Sequence, residues 1–275
     1  RSAGRCSVSS PLYANKRSMG KGKLAKFAYI DTLPFVLQYP RQRLLEEGFP
    51  YVGKWRSHFF DNSYPITLEL GCGGGEYTVS LAKEFPQGNY IGVDRKGARI
   101  WSGAKRVEED ALANVAFLRT DISFIADFFA PGEVSAIWIT FPDPMMKKAK
   151  SRLVGSLFLE KYRKILAPDG VIFLKTDSSF LYEYTMLLLE ANQIKPIAAT
   201  NDLYAPEEPL RNQVPYAATR YESQWLARGK TIKYIAFSLK DAPDTLIEPE
   251  HEPPHDEYKS ITRFMHPAKS NPTSL

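Results

Sequence analysis

Residues 68–77 read LELGCGGGEY, which places Glu69, Gly71, Gly73 and Gly75 at alternate positions directly after an apolar stretch. A loop this bare lets a ligand approach the main chain closely, beside the amide-rich start of a following helix. A dinucleotide loop requires G-x-G-x-x-G with glycine or alanine last. Counting from Gly71 and Gly73, that last position is Glu76, so a pyrophosphate would meet a carboxylate. The acid-x-Gly-x-Gly-x-Gly spacing is matched in full and suits a nucleoside cofactor without phosphates, S-adenosylmethionine. Asp94 lies about 20 residues beyond the last glycine, where an acid accepts both ribose hydroxyls. Asp121 follows a third apolar run and can take the exocyclic amine of adenine, although an acid there also suits a helix cap. A fourth run ends in FPDPMMKKAKSR. Pro142 and Pro144 stiffen the turn around Asp143, and Lys147, Lys148, Lys150 and Arg152 follow as a basic cluster. Asp143 can accept from the ring NH and amino group of a guanine.

These residues need a scaffold that presents the ends of several strands together. Segments 65–71, 89–94, 115–121, 136–141, 170–177 and 232–239 are short and rich in β-branched and aromatic residues, as buried strands are. Between most of them lie stretches with apolar residues at three- and four-residue spacing, at 77–85, 97–111, 156–166 and 179–192. Strand and helix in alternation predict an α/β fold, a mostly parallel sheet with helices on both faces. Ligands then bind beyond the carboxyl ends of the strands.

The chain of 275 residues, 44% of them hydrophobic, is long enough to bury a full core. Cys6 and Cys72 have neither disulfide-framework nor metal-ligand spacing, so no metal is expected and a reducing cytoplasm fits. No apolar run is long enough for a membrane span, and no membrane partner is expected. Residues 1–30 carry Arg1, Arg5, Lys16, Arg17, Lys21, Lys23 and Lys26 without an acid, whereas 241–257 carry seven acids without a lysine or arginine. The expected organisation is a basic arm over 1–30, a catalytic domain over 31–240 and an acidic, proline-rich tail over 241–275. Prolines 243, 249, 253 and 254 make that tail extended or disordered, without a catalytic part. Residues 1–18 read as a leader ahead of a natural start at Met19. The basic arm and the lysine loop suit contact with a polyanion.

FPDP followed by lysines, TD at 176–177, and TRYESQWLARGKTIKYIAF from Thr219 onward resemble the bacterial tRNA (guanine-N7)-methyltransferases over roughly residues 60–240. The resemblance implies a Rossmann-like class I methyltransferase with a seven-stranded sheet, acting on guanine 46 of the tRNA variable loop, as a monomer or homodimer. It implies that Glu69, Asp94, Asp121 and Asp143 hold S-adenosylmethionine, with Asp143 also catalytic. Lys147, Asp177, Thr219, Arg220, Tyr221 and Glu222 would hold the guanine and its neighbours. The chain departs from the family pattern at Met145 and Met146, where the family carries Trp-Pro, and its basic run is two residues shorter. Guanine N7 has a free lone pair, so in-line attack on the sulfonium methyl needs no general base, and positioning supplies the rate. Tyr221 and Trp225 suit base stacking or core packing equally. His58 suits a surface or packing role. A methyltransferase for exocyclic amines would show D/N-P-P-Y/F after strand four, and an RNA-binding module on a decayed fold would have lost glycines or acids. Neither pattern is present.

Overall fold

The computed structural model describes residues 19–215 and 220–256. Cys6, Lys16, Arg17 and Thr219 lie outside the described residues, as do the side chains of Lys21, Arg220 and Tyr221. The strands are β1 (Val36–Gln38), β2 (Ile66–Leu70), β3 (Asn89–Asp94), β4 (Val115–Arg119), β5 (Val134–Thr140), β6 (Leu166–Thr176), β7 (Ala198–Thr200) and β8 (Lys233–Ser238). They form one sheet in the order β1-β4-β3-β2-β5-β6-β8-β7. Only β8 runs antiparallel to its neighbours, β6 and β7. The sheet therefore has eight strands among the described residues instead of the expected seven. Its two edges, β1 and β7, are three residues long, too short to show a period of two, and the sequence reading missed both.

The helices are α1 (Met19–Asp31), α2 (Arg41–Glu47), α3 (Glu76–Glu84), α4 (Gly97–Glu109), α5 (Ser156–Arg163), α6 (Ser179–Ala191) and α7 (Arg220–Leu226). Alternation along each strand divides the core in two. Ile137, Ile139, Ile172 and Leu174 join α2, α5 and α6 in one apolar cluster, while Trp138, Phe173 and Phe117 join α1, α3 and α4 in the other. α1 docks on α4: Tyr29 donates to Glu108, the Tyr29 and Trp101 rings meet edge to face, and Lys26 Nζ lies 4.3 Å from the Trp101 ring centre. Among the described residues, no helix is long and apolar enough to cross a membrane.

Residues 241–256 are extended, without helix or strand, and lie against α5 and α6. Leu246 N donates to Glu160, Ile247 exchanges two hydrogen bonds of 2.8 Å with Asn192, and Glu248 accepts from Ser156 and Tyr184. Asp256 accepts from Ser178 Oγ and Phe180 N at the start of α6. Glu248 and Asp256, in the tail expected to be extended or disordered, thus satisfy donors at the amino ends of α5 and α6, where negative charge is favoured.

The loop after β2 is located by one phenyl ring. Phe117 on β4 is fully buried, and a Cβ added at Gly75, Gly92 or Gly103 would come within 2.6–2.8 Å of it. Three glycines from a loop, a strand and a helix therefore make room for one side chain. Gly103 tests this packing because two effects oppose there. Alanine is favoured over glycine inside a helix by about 1 kcal/mol. The added methyl would also meet the Gly74 carbonyl oxygen at 2.8 Å, a backbone atom that cannot swing aside. Overpacking costs about 1–3 kcal/mol, so Gly103→Ala is expected to lower stability in urea titration, and Phe117→Leu in the same chain to recover part of the loss.

Candidate active site

The carboxyl ends of five adjacent strands carry the candidate residues in one row. Asp121 follows β4, Asp94 ends β3, the glycine loop follows β2, Asp143 follows β5 and Asp177 follows β6. The chain steps outward from β2 through β3 to β4, then returns to the other side of β2 to form β5. That reversal is the point at which open α/β sheets bind ligands. With strands about 4.8 Å apart, Asp121 lies roughly 10 Å from the glycine loop, and Asp177 lies about as far on the other side. One small group cannot touch both, so the row has a β4–β3–β2 half and a β5–β6 half.

In the first half, Gly71, Gly73 and Gly75 have φ of 80°, 56° and 71°, the left-handed region that disfavours other residues. Gly71 N and Cys72 N both donate to Val93 O, tying the loop to the end of β3. A Cβ at Gly71 or Gly73 would meet nothing closer than 3.8 Å, in contrast to Gly75, so the loop is packed on one side and open on the other. Asp94 accepts from Gly73 N at 3.0 Å and Lys96 N at 2.7 Å, one bond to each oxygen, which leaves acceptor capacity on both. Asp121 caps the short helix Ile122–Asp127 through Ser123 N and lies 3.5 Å from Arg95. Burial works against its charge, but Ser123 and Arg95 outweigh it and hold the carboxyl below its ordinary value. Asp121 is thus a cap, with an acceptor edge remaining.

Glu69 behaves differently. It is only 4% exposed, and its oxygens accept from Thr78 N at 2.9 Å, from Thr78 Oγ1, and from Thr140 Oγ1 at 2.6 Å. Burial pushes its carboxyl up to about 7 despite these bonds. The acid braces the start of α3 to the end of β5 and so fixes the loop between them. Thr78 and Thr140, which complete this brace, were not singled out in the sequence, because a threonine in the first turn of a helix or at the end of a strand carries no periodic or spacing signal.

In the second half, the FPDP turn begins and ends on non-glycine residues with positive φ, Phe141 at 48° and Met145 at 47°. Such residues cost about 1–2 kcal/mol each, so surrounding contacts must hold them. Phe141 N donates to Lys175 O at 2.8 Å, and its side chain packs against the small cluster of Trp225 and Ile232. Met145 N donates to Asp143 Oδ1 at 3.1 Å. Asp143 itself is exposed, as are Lys147, Lys148 and Lys150. Arg152 is not part of that basic surface: its side chain is wholly buried. Trp225 is buried core, and His58 lies exposed on the turn Trp55–Phe59.

Asp177 is 8% exposed, and its Oδ1 has no partner among the described residues. Burial pushes its carboxyl up to about 6, against the pull of its own backbone and of Lys233. Glu222, in the first turn of α7, is fully buried and pairs with the equally buried Lys175 at 2.7 Å, and Tyr204 OH also donates to it. Burial lowers the Lys175 ammonium from its ordinary value, with Glu222 opposing the shift. Lys175 thus holds Phe141 through its carbonyl and α7 through its side chain. It lies on a strand, where a lone lysine gives no sequence sign of such a role.

Because the Asp177 carboxyl titrates higher in the folded chain than in the unfolded one, the native state binds more protons between about pH 4 and 6, and stability falls as pH rises through that window. Asp177→Asn is expected to reduce the fall in unfolding free energy between pH 4.5 and 7.5 by at most about 2 kcal/mol, measured by denaturant titration at both values. Glu69, pushed up to about 7, adds a slope of the same sign.

Three comparisons show what the chain is similar to. The family described as "Putative methyltransferase" matches residues 63–235. A tRNA (guanine-N(7)-)-methyltransferase of Porphyromonas gingivalis is 51% identical over 236 residues, 85% of this chain and 96% of its own. One of the same name from Bacteroides thetaiotaomicron is 50% identical over 89% of this chain and 96% of its own. A solved 16S rRNA methyltransferase superposes with a TM-score of 0.50 at 13% identity, covering 72% of this chain and 94% of that one, a likeness of fold. With about half its residues shared over nearly the full length of these relatives, the chain belongs to the tRNA (guanine-N(7)-)-methyltransferase family.

Proposed function

We propose that this protein transfers a methyl group from S-adenosylmethionine to N7 of a guanine in the variable loop of tRNA. The observation that carries the reading is the division of the row of strand ends at the reversal point, with an open glycine loop flanked by acids on one side and a carboxylate turn on the other. The open face at Gly71 and Gly73 fits a cofactor that must approach the backbone, and Asp94, already braced by Gly73 N, has acceptor capacity for two ribose hydroxyls. Asp121 keeps an acceptor edge for an exocyclic amine. Glu69 acts through the loop it braces, since its own oxygens are occupied by Thr78 and Thr140. The bound cofactor supplies an electrophilic methyl group that a lone pair can attack in line.

The chain's own residues have no proton to remove, because N7 is unprotonated. They must align the base and favour the positive charge that grows on the purine. Asp143 and Asp177, at adjacent strand ends, supply negative charge for both tasks. The unpartnered Asp177 Oδ1 is suited to a donor from the substrate. Glu222 contributes by holding α7 against Lys175. Lys147, Lys148 and Lys150, exposed after the turn, suit backbone phosphates, as do the lysines of α1.

The test is nucleoside mass spectrometry of tRNA after incubation with purified protein and methyl-labelled cofactor. 7-Methylguanosine from the variable loop is expected, and label on an exocyclic amine would overturn the assignment. Asp143→Asn should leave the fold intact and cofactor affinity within a few-fold, while methyl transfer falls about a hundredfold; unaltered turnover would make the carboxylate structural. Asp94→Ala should weaken cofactor binding by roughly 1.5–3 kcal/mol, the range for hydrogen bonds to a charged group, read by titration calorimetry.

A further inference from the structure

We propose that Glu252, on the acidic C-terminal segment, is a positioning residue for methyl transfer, holding the Asp143 turn in register through Arg152. The proposal rests on the methyl-transfer reading above. Arg152 closes the loop that begins at the FPDP turn, and its guanidinium lies wholly inside the protein, 4.3 Å from the Tyr184 ring centre and 4.9 Å from that of Phe180. Besides the Tyr184 hydroxyl beside it, it makes two hydrogen bonds there. Nη2 donates to Met146 O at 2.9 Å, and Nη1 donates to Glu252 Oε1 at 2.7 Å. Met146 is the neighbour of Met145, whose amide holds Asp143. The path from Glu252 to the candidate catalytic carboxylate is therefore one ion pair, one hydrogen bond to the Met146 carbonyl, the backbone of Met146 and Met145, and one hydrogen bond from Met145 N.

Two features make this path consequential. The turn carries positive φ at Phe141 and Met145, so it relaxes unless both ends are held. Lys175 O holds the Phe141 end, and Arg152 holds the Met146 end. A buried guanidinium without a counter-ion is costly, so losing Glu252 drives Arg152 toward water and releases Met146 O. Glu252 is in turn fixed by the docking of its segment, through Glu248 on Ser156 and Tyr184 on one side and Asp256 on Ser178 and Phe180 on the other. The segment expected from sequence to have no catalytic part thus carries the carboxylate that sets the loop.

The test uses the full chain as wild type, Glu252→Ala, Glu252→Gln and the control Glu250→Ala, which removes an exposed acid two residues away on the same segment. Single-turnover methylation of tRNA at saturating cofactor is expected to slow about tenfold or more in Glu252→Ala, because misalignment of reacting groups acts on the chemical step. The tRNA KM and the cofactor Kd should stay within about twofold, and amide hydrogen exchange over residues 145–152 should quicken about tenfold. Glu252→Gln, which keeps an acceptor for Arg152, should fall between, and Glu250→Ala should match wild type. If Glu252→Ala melts too low to assay, Glu252→Gln carries the comparison. A wild-type rate or unchanged exchange in the Glu252 variants overturns the proposal, as does an equal loss in Glu250→Ala. Wild-type protein that forms no 7-methylguanosine overturns the methyl-transfer reading instead, and the exchange comparison still decides whether Glu252 holds the turn.

Discussion

The close approach of the β2 loop, β3 and α4 around the Phe117 ring is the constraint on which the rest of the site depends. A side chain at Gly75, Gly92 or Gly103 would push one of these elements outward. The loop would then no longer lie where its amides meet Asp94 and the end of β3. Close packing of this kind is rigid because every neighbouring atom is already in contact. The rigidity matters for a reaction whose rate comes from alignment, since no proton transfer or covalent intermediate shares the work.

The opposite side of the site is held by different means. The FPDP turn is strained at both ends, and buried ions fix it in place of apolar packing alone. Lys175 joins the turn to α7 by pairing with Glu222, and Arg152 joins it to the C-terminal segment by pairing with Glu252. A pair buried on both sides, as Lys175 and Glu222 are, contributes little net stability, yet removing one partner costs about 3–5 kcal/mol, whereas in the second pair Arg152 is buried and Glu252 is exposed. Their value here is geometric, because each partner has one place to go. A hydrophobic replacement of the same volume would keep the core while losing the direction of the turn.

Charge in this protein is sorted by burial more than by sequence block. The exposed lysines after the turn are available to phosphates, whereas Arg152, only two residues beyond Lys150, is sealed under Tyr184 and Phe180. The acids at 248, 252 and 256 are each engaged by donors on α5, α6 or Arg152. Of the three, Glu252 is paired with a cation, Arg152, while Glu248 and Asp256 keep their charge and satisfy neutral donors.

The sequence by itself determined the α/β class, six of the eight strands, the glycine loop and the acids that follow successive strands. Those features are local: a period of two or of three to four residues, a run of glycines, and an acid at the end of an apolar run can each be read within a short window. The three-residue edges β1 and β7 escaped because their pairing partners, not their own residues, make them strands. The roles of Glu69, Lys175, Arg152 and Glu252 were decided by tertiary structure alone. Each depends on a partner from another part of the chain, Arg152 and Glu252 being 100 residues apart. Whether a charged side chain is a solvated surface group or a buried brace is fixed by what folding packs around it, and its identity in the sequence is the same in both cases.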